Sequence, residues 1–397
     1  MAPGELSTLL VWAAATAFTL TLIAYSADLA RIADTAARPR QAARAARATA
    51  TSQSAATVHA RIPALVGPAS TSATSEEVVA GTATSSDAAF PGARASEEVV
   101  ARATTSSDAA EAGGAGAADA GSPGRSARAE GIARATLWLG IAMLAAAVVL
   151  RGVAAGRWPT ANMYEFTLVG TLVATAVLAV VQRRRVIAFL GVLVMGIAVL
   201  ALVLALNAFY VRAEALPPAL QNYWLVIHVG VAIIATGIFT VAFATSALQV
   251  LSDSRSQGRS HLATPWRRAD GLRRALAPLR VTGPRFAWLD QVPSPTRLEA
   301  LSFRLNALGF VLWTLTLIGG AIWAEDAWGR YWNWDPKEVG TFVAWVVYAA
   351  YLHARTTRGW SGRRAAYLVF VGYGVVLANF TVVNLFVNGL HSYSGLR

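Results

Sequence analysis

The chain has 397 residues, of which 55% are hydrophobic and 14% charged, and it carries a formal net charge of +12 at pH 7. Several apolar runs of about twenty residues exclude an ordinary soluble enzyme and are typical of a polytopic membrane protein. A basic excess can indicate nucleic-acid binding, but the arginines cluster between apolar runs as orientation signals do, so we predict no nucleic-acid partner. The chain has no cysteine, which excludes disulfides, thiol redox chemistry and thiolate metal ligands.

The N-terminal third predicts one membrane helix followed by a long linker. Residues 8–25 are apolar, and arginines follow the run rather than precede it, which favours an uncleaved helix over a signal peptide. We assign residues 1–30 to this N-terminal transmembrane helix. Residues 31–133 are rich in Ala, Ser, Thr and Arg and contain an imperfect duplication, SEEVVAGTATSSDAA and SEEVVARATTSSDAA. This composition predicts a disordered cytoplasmic linker.

Residues 134–397 predict a helical membrane domain. With the first run, the apolar runs make eight predicted spans, and basic loops alternate with loops that carry few charges. The positive-inside rule then places both termini outside and the loop at 251–302 in the cytoplasm. The predicted fold is therefore an all-α, polytopic membrane protein of about eight helices. The further predicted spans are 134–152, 165–182, 186–206, 225–250, 303–324, 338–356 and 365–387.

Residues 323–338, WAEDAWGRYWNWDPKE, form a tryptophan-rich segment between two predicted spans. Rigid indoles in such numbers suit a large planar apolar ligand. An interfacial aromatic belt is the alternative interpretation. Asp335, Pro336 and Glu338 match a helix start with Asp at the N-cap, so Asp335 has a purely structural interpretation as well.

Three of the five histidines lie at defined depths in this topology. His228 and His391 lie at the outer face, whereas His353 follows Pro336 by seventeen residues, or roughly 25 Å of helix, and lies near the inner face. Two outer histidines beside a tryptophan-rich segment suggest a bis-histidine haem site, with Arg157 or Arg330 as partners for haem propionates. The alternative is that these histidines are hydrogen-bonded boundary residues. His261, in the basic loop, is interpreted as a surface residue.

Several motifs in the expected order resemble one known family. WGRYWNWDPKE, YLHAR, HSYSG, NMYE and the PPALQ–WLVIH stretch resemble the CcsA (ResC) type of cytochrome c biogenesis proteins, which carry the WWD signature and work with a ResB/CcsB-type membrane partner. The resemblance covers residues 134–397. It implies that haem b reaches an external site at the WWD loop, residues 323–338, for attachment to a CxxCH motif of apocytochrome c. The external site would hold the haem between its flanking histidines.

The resemblance also implies residue roles. His228 and His391 correspond to the external axial ligands of the haem iron, and His353 to a transmembrane ligand whose opposite ligand comes from the partner. Trp323 and Tyr331 would help to bind the cofactor. The core of the signature, with the catalytic role of presenting the haem, would be Trp328, Trp332, Trp334 and Asp335.

The leading functional hypothesis is therefore a haem-translocating and haem-presenting subunit of a holocytochrome c synthase in a bacterial plasma membrane. The alternatives are a haem exporter or chaperone without ligation activity, and a haem lyase subunit of the other pathway that uses a WWD loop. A further alternative is a proton-coupled transporter that uses His353 as its relay.

Overall fold

In a computed structural model, every regular element of the described residues is a helix. The structure describes residues 1–60, 127–183, 187–213, 222–260, 262–265 and 269–391. A π-helical segment, Asn379–Val383, joins the last two helices, and short 3₁₀ turns precede α7. The helices are α1 (Pro3–Ala60), α2 (Ala127–Ala155), α3 (Met163–Val181), α4 (Ala188–Asn207), α5 (Tyr223–Ser256), α6 (Asp270–Ala275), α7 (Pro295–Trp328), α8 (Pro336–Thr357), α9 (Arg363–Ala378) and α10 (Asn384–Phe386).

Seven helical segments of the described chain are long and apolar enough to cross a membrane: those in α1–α5 and α7, and the α9–α10 segment. The remaining long helix, α8, has 22 residues and is long enough to cross the hydrocarbon core, but it is less apolar. Lys337, Glu338, His353 and Arg355 account for much of that difference. The prediction of an all-α, polytopic membrane protein with about eight helices is confirmed.

The structure moves several predicted boundaries. Helix α1 continues to Ala60, beyond the predicted end at residue 30, because alanine and arginine have high helix propensity even without an apolar pattern. Helix α7 begins at Pro295 rather than at residue 303 and runs through Trp328. The first part of the predicted 323–338 loop is therefore helical, and the loop itself is short. Helix α7 ends because Gly329 has a φ of 70° and closes it in a left-handed cap.

Most of the predicted linker lies outside the described residues, as does His261. The chain divides into two units, Met1–Arg40 with Gly124–Arg397, and Gln41–Pro123. Of the second unit the structure describes only residues 41–60, which are helical. The disordered linker therefore remains a prediction for residues 61–126, whereas residues 31–60 and 127–133 of the predicted linker are helical.

Helices α5 and α7 form the centre of the membrane unit. Their contacts run in opposite directions along the two sequences: Ser246 Oγ lies 2.6 Å from Ser302 Oγ, and the His228 ring lies beside Thr316 and Gly320. The pair is therefore antiparallel. At 34 residues each, both helices are roughly 50 Å long and extend beyond a hydrocarbon core of about 30 Å.

The helix ends separate into two groups. One end of the membrane unit carries ion pairs between helix termini: Arg363 with Asp253 at 3.0 Å, and Arg355 with Glu299 at 3.1 Å. The other end collects the starts of α3, α5 and α8 and the final parts of α7 and α9 around a cavity. The start of α1 lies at this cavity end too, because Ser7 Oγ donates to Ala147 O near the end of α2.

Candidate functional site

The cavity at this end has a volume of about 1270 Å³, counting the part that opens at its mouth. Its lining is mostly apolar, as in most sites that bind small molecules and cofactors. His228 and His391, which lie far apart in the sequence, both line it, together with aromatic side chains from several elements. The lining aromatic residues are Phe166, Trp313, Trp323, Tyr331, Trp332 and Phe380.

His228 enters the cavity from the second turn of α5. Asn222 caps the start of this helix by accepting a hydrogen bond from the Trp224 N–H. The His228 Nδ1 lies 2.7 Å from the carbonyl oxygen of Thr316 on α7. A carbonyl oxygen only accepts, so Nδ1 carries the proton and Nε2 keeps its lone pair. His228 is thereby held in the tautomer that a metal ligand requires.

His391 follows α10 and is held by Asp335. The His391 Nδ1 donates to Asp335 Oδ2 at 2.8 Å, which leaves its Nε2 with a free lone pair. Burial raises the pKa of the Asp335 carboxyl. The hydrogen bond from His391, the charge that this imidazole carries when it is protonated, and the N–H groups of Lys337 and Leu390 outweigh burial and lower that pKa below its ordinary value. An ionised carboxylate that orients an imidazole is a common support for a metal-binding histidine.

Asp335 has the structural role that the sequence predicted as well. It caps α8 by accepting the Lys337 N–H, while Glu338 accepts the Asp335 N–H, so the predicted capping box is confirmed. The same carboxylate accepts the Leu390 N–H at 2.5 Å. Asp335 therefore joins the start of α8 to the C-terminal segment and fixes His391 relative to the cavity.

Trp323 packs against both cavity histidines. Its ring lies 6.3 Å from the His228 ring, nearly parallel, and 5.6 Å from the His391 ring. Trp328 contacts His391 at 5.0 Å and Trp323 at 4.8 Å, both edge to face. Trp323 is 1% exposed, so its indole forms a fixed floor between the two imidazoles, and Trp328 supports it from outside the cavity lining.

The tryptophans of the short loop have different positions. Trp332 lines the cavity, and so does Tyr331, whereas Trp334 does not. Trp334 has a φ of 56° and is 76% exposed, which is a strained, left-handed backbone for an aromatic residue. The N–H groups of Asn333 and Asp335 both bond to Glu338 Oε2 and hold the backbone on either side of it. Trp334 touches Trp332 edge to face at 5.7 Å.

His353 is not part of this cavity. It lies near the far end of α8, on an exposed face that also carries Phe342, Val346 and Ala350. Within the described residues its imidazole makes no hydrogen bond to another helix of this chain. His353 therefore faces away from the helix bundle, whereas Tyr351, two residues earlier, is buried within it.

A buried ion cluster supports the wall between α2 and α3. Glu165 is 0% exposed and binds Arg151 Nε at 3.0 Å and Arg157 Nη1 at 2.7 Å, and it accepts the Ala161 N–H. Asn162 caps α3 through the Glu165 N–H. These bonds fix residues 160–163, which line the cavity.

Sequence reasoning missed part of the lining. Asn379 and Asn384 interrupt the last apolar run and line the cavity, as does Lys337. Polar residues inside a membrane span are a signal that points to a function or a specific contact. That signal was visible in ANFTVVNLF. Fold and site together define a multi-pass, all-helical membrane protein in which helix ends enclose an aromatic cavity with two oriented histidines.

A family model described as "Cytochrome C assembly protein" matches residues 159–391. The chain belongs to this family and is of the CcsA type, which confirms the resemblance carried by the motifs and assigns the chain to cytochrome c assembly.

Curated relatives agree. The CcsA protein of Synechococcus elongatus is 38% identical over 287 residues, which covers 65% of this chain and 86% of that protein. CcsA of a Picosynechococcus species is 34% identical over 297 residues, covering 65% and 87% respectively. A solved structure of cytochrome c haem lyase CcmF aligns with a TM-score of 0.46 and 15% identity, over 64% of this chain and 41% of that chain.

Proposed function

We propose that the chain presents haem b at the cavity for thioether attachment to the CxxCH motif of apocytochrome c, as a subunit of a holocytochrome c synthase. The observation that carries this proposal is the pair of cavity histidines, His228 and His391. Each has its Nδ1 proton donated elsewhere and its Nε2 available, as axial ligands of haem iron require. Haem is the substrate here, and it would supply the vinyl groups that the cysteines of the apocytochrome attack.

The cavity residues fit a haem in their chemistry. Indole and phenyl rings provide the apolar walls that the macrocycle requires. Trp323 keeps the two imidazoles in place, and Asp335 orients His391. The contribution of this chain is then largely positioning of two reactants, because the attacking thiols belong to the apocytochrome and the chain itself has no cysteine.

His353 has a separate role in this proposal. An exposed imidazole on a membrane helix is costly unless it is partnered, and this chain offers it no hydrogen bond among the described residues. We assign this face of α8 to contact with a ResB/CcsB-type membrane partner. A histidine of that partner would be the second axial ligand of a haem bound at His353. Haem would pass from this site to the cavity. The exposed position of His353 supports the assignment.

The test is an absorption spectrum of the full-length chain, purified alone and with its partner. His228→Gly and His391→Gly should each remove the low-spin, bis-imidazole pattern and cytochrome c maturation. Added imidazole should partly restore both, because a small free imidazole can occupy an axial position but cannot replace a packing contact. Unchanged haem content in both variants would identify the two histidines as boundary residues.

One comparison separates the synthase from an exporter or chaperone. The purified complex, supplied with haem and a reduced apocytochrome peptide that contains CxxCH, should form a thioether-linked product. Haem bound without product would favour the exporter. Complete absence of haem from the complex would favour the transporter instead.

A further inference from the structure

Among the described residues that line the cavity, Lys337, in the first turn of α8, is the positively charged side chain. The other charged residue of this described lining is Glu338, and the two histidines are held through Nδ1. Lys337 Nζ donates to the carbonyl oxygen of Asn379 at 3.1 Å. No carboxylate oxygen of the described residues lies within 4.0 Å of Nζ. Its hydrogen-bond partner is neutral, and the Asp335 carboxylate attracts it only from beyond that distance, so an anion at Nζ would further stabilise this half-buried ammonium.

The two arginines suggested by the sequence as carboxylate partners do not reach the cavity as free cations. Arg157 is engaged by both Glu165 oxygens, at 2.7 and 3.1 Å. Arg330 lies in the exposed loop and does not line the cavity. Within the described lining, Lys337 is therefore the cation that remains for an acidic group of a ligand.

The hydrogen bonds of the residues around Lys337 indicate on which side of Lys337 the acidic group of the ligand binds. Glu338 is tied to the loop, because its Oε2 accepts the N–H groups of Asn333 and Asp335. Asn379, whose carbonyl oxygen accepts from Lys337 Nζ, lies in the π-helical segment, and its side-chain amide donates to Thr341 Oγ1 at 2.9 Å. Single π-helical turns inside α-helices frequently occur at functional sites. Trp323 lines the same cavity and has a buried indole N–H without a partner among the described residues.

We infer that Lys337 binds a carboxylate group of the cavity ligand on the side of Asn379. The inference rests on the proposed function, in which the ligand is haem and the carboxylates are its propionates. The propionates and the vinyl groups lie on different edges of the macrocycle. A carboxylate held at Lys337 therefore also determines which way the reactive vinyl edge points.

The experiment compares the binding of haem and of haem dimethyl ester to the full-length chain in detergent by absorbance titration. The ester lacks the charged carboxylates but keeps the iron and the ring. The wild-type chain should bind haem about ten- to a hundredfold more tightly than the ester, because a charge-assisted bond is lost. Lys337→Met should lose this preference and bind both at the level of the ester, and Lys337→Arg should keep most of it.

Arg330→Met is the matched control, since it removes a nearby cation outside the cavity and should leave the preference intact. A preference for haem in Lys337→Met equal to that of the wild type would overturn the inference. Loss of binding of both ligands by Lys337→Met would also overturn it, by showing a structural role for Lys337. Failure of the wild type to bind either ligand with a low-spin spectrum would instead contradict the proposed function.

Discussion

The imidazole of His228 occupies space that only a glycine at position 320 leaves open. A Cβ at Gly320 would lie 2.6 Å from the His228 Cε1 and 2.8 Å from its Nδ1. A Cβ at the neighbouring Gly319 would make only ordinary contacts, with the His228 Cβ at 3.6 Å, its Cα at 3.7 Å and the Trp224 ring at 4.0 Å. A methyl group is therefore accommodated at Gly319 but not at Gly320, where it would clash with the imidazole of the proposed ligand His228.

We expect Gly320→Ala to displace the His228 ring and break its bond to the Thr316 carbonyl. Haem titration of the variant should show loss of most of the low-spin signal, with partial recovery in imidazole. Gly319→Ala serves as the control and should keep the wild-type spectrum. Alanine favours a helix by about 1 kcal/mol over glycine, so neither change should unfold α7. Identical spectra for the two variants would contradict a positioning role for Gly320.

Helix α8 connects two regions of different chemistry. Its first turn carries the capping box of Asp335 and lies at the cavity, whereas His353 lies near its other end, roughly 25 Å away along the axis. One iron cannot bind both His353 and His391 in this structure. The exposed face of α8 around His353 is instead available to a second chain.

His353→Ala should lower the haem content per purified complex, while protein abundance and association with the partner persist. The variant removes a proposed haem ligand from an exposed face of α8, and it leaves the packing of the helix bundle unchanged. Thr356→Ala, an exposed change one turn away on α8, should leave the haem content unchanged. The measurement is haem per complex by pyridine haemochrome assay. Equal occupancy in His353→Ala and the wild type would remove His353 from the haem path.

In the whole molecule, the contacts between helix ends divide the loops into two groups, one at the cavity and one at the opposite end of the helices. The starts of α3, α5 and α8 meet at the cavity, and the ends of α5 and α8 meet the starts of α9 and α7 through ion pairs. This alternation matches the order of basic and uncharged loops in the sequence. Which group faces outward is a prediction that rests on the positive-inside rule.

Because the chain has no cysteine, single introduced cysteines can report its orientation. Arg330→Cys, in the loop beside the cavity, should react with a membrane-impermeant maleimide on intact cells. Arg358→Cys, at the other end, should react only after permeabilisation; both positions are exposed. The opposite pattern would place the cavity at the cytoplasmic face and contradict external haem attachment.

Residues Gln41–Pro123 form one unit, and the described residues that line the cavity all belong to the other unit. We therefore expect deletion of residues 45–125 to leave membrane insertion and cytochrome c maturation largely unchanged, as for a linker with few packing contacts. The measurement is the yield of holocytochrome c relative to membrane-inserted protein. A deleted chain that inserts but matures no cytochrome would show that this segment has a role in the reaction.

Local sequence is sufficient to predict the class of protein and most of the helices. Apolar runs of membrane-spanning length and the cap at Asp335 depend on neighbours within a few residues, so they can be predicted from local sequence. The tryptophan-rich motif and the histidines around it were sufficient to identify the family. The end of α7 at Gly329 is local too, but Gly329 lies within a tryptophan-rich stretch whose pattern predicts a loop.

Which of these residues contact one another depends on how the helices pack. His228 and His391 lie on distant segments, and only helix packing brings both to Trp323. The tertiary structure also places Trp332 in the cavity lining, leaves Trp334 exposed, and places Lys337 beside Asn379. Such contacts depend on which helix faces pack together, and that choice follows from side-chain shape across the whole bundle rather than from spacing along the chain.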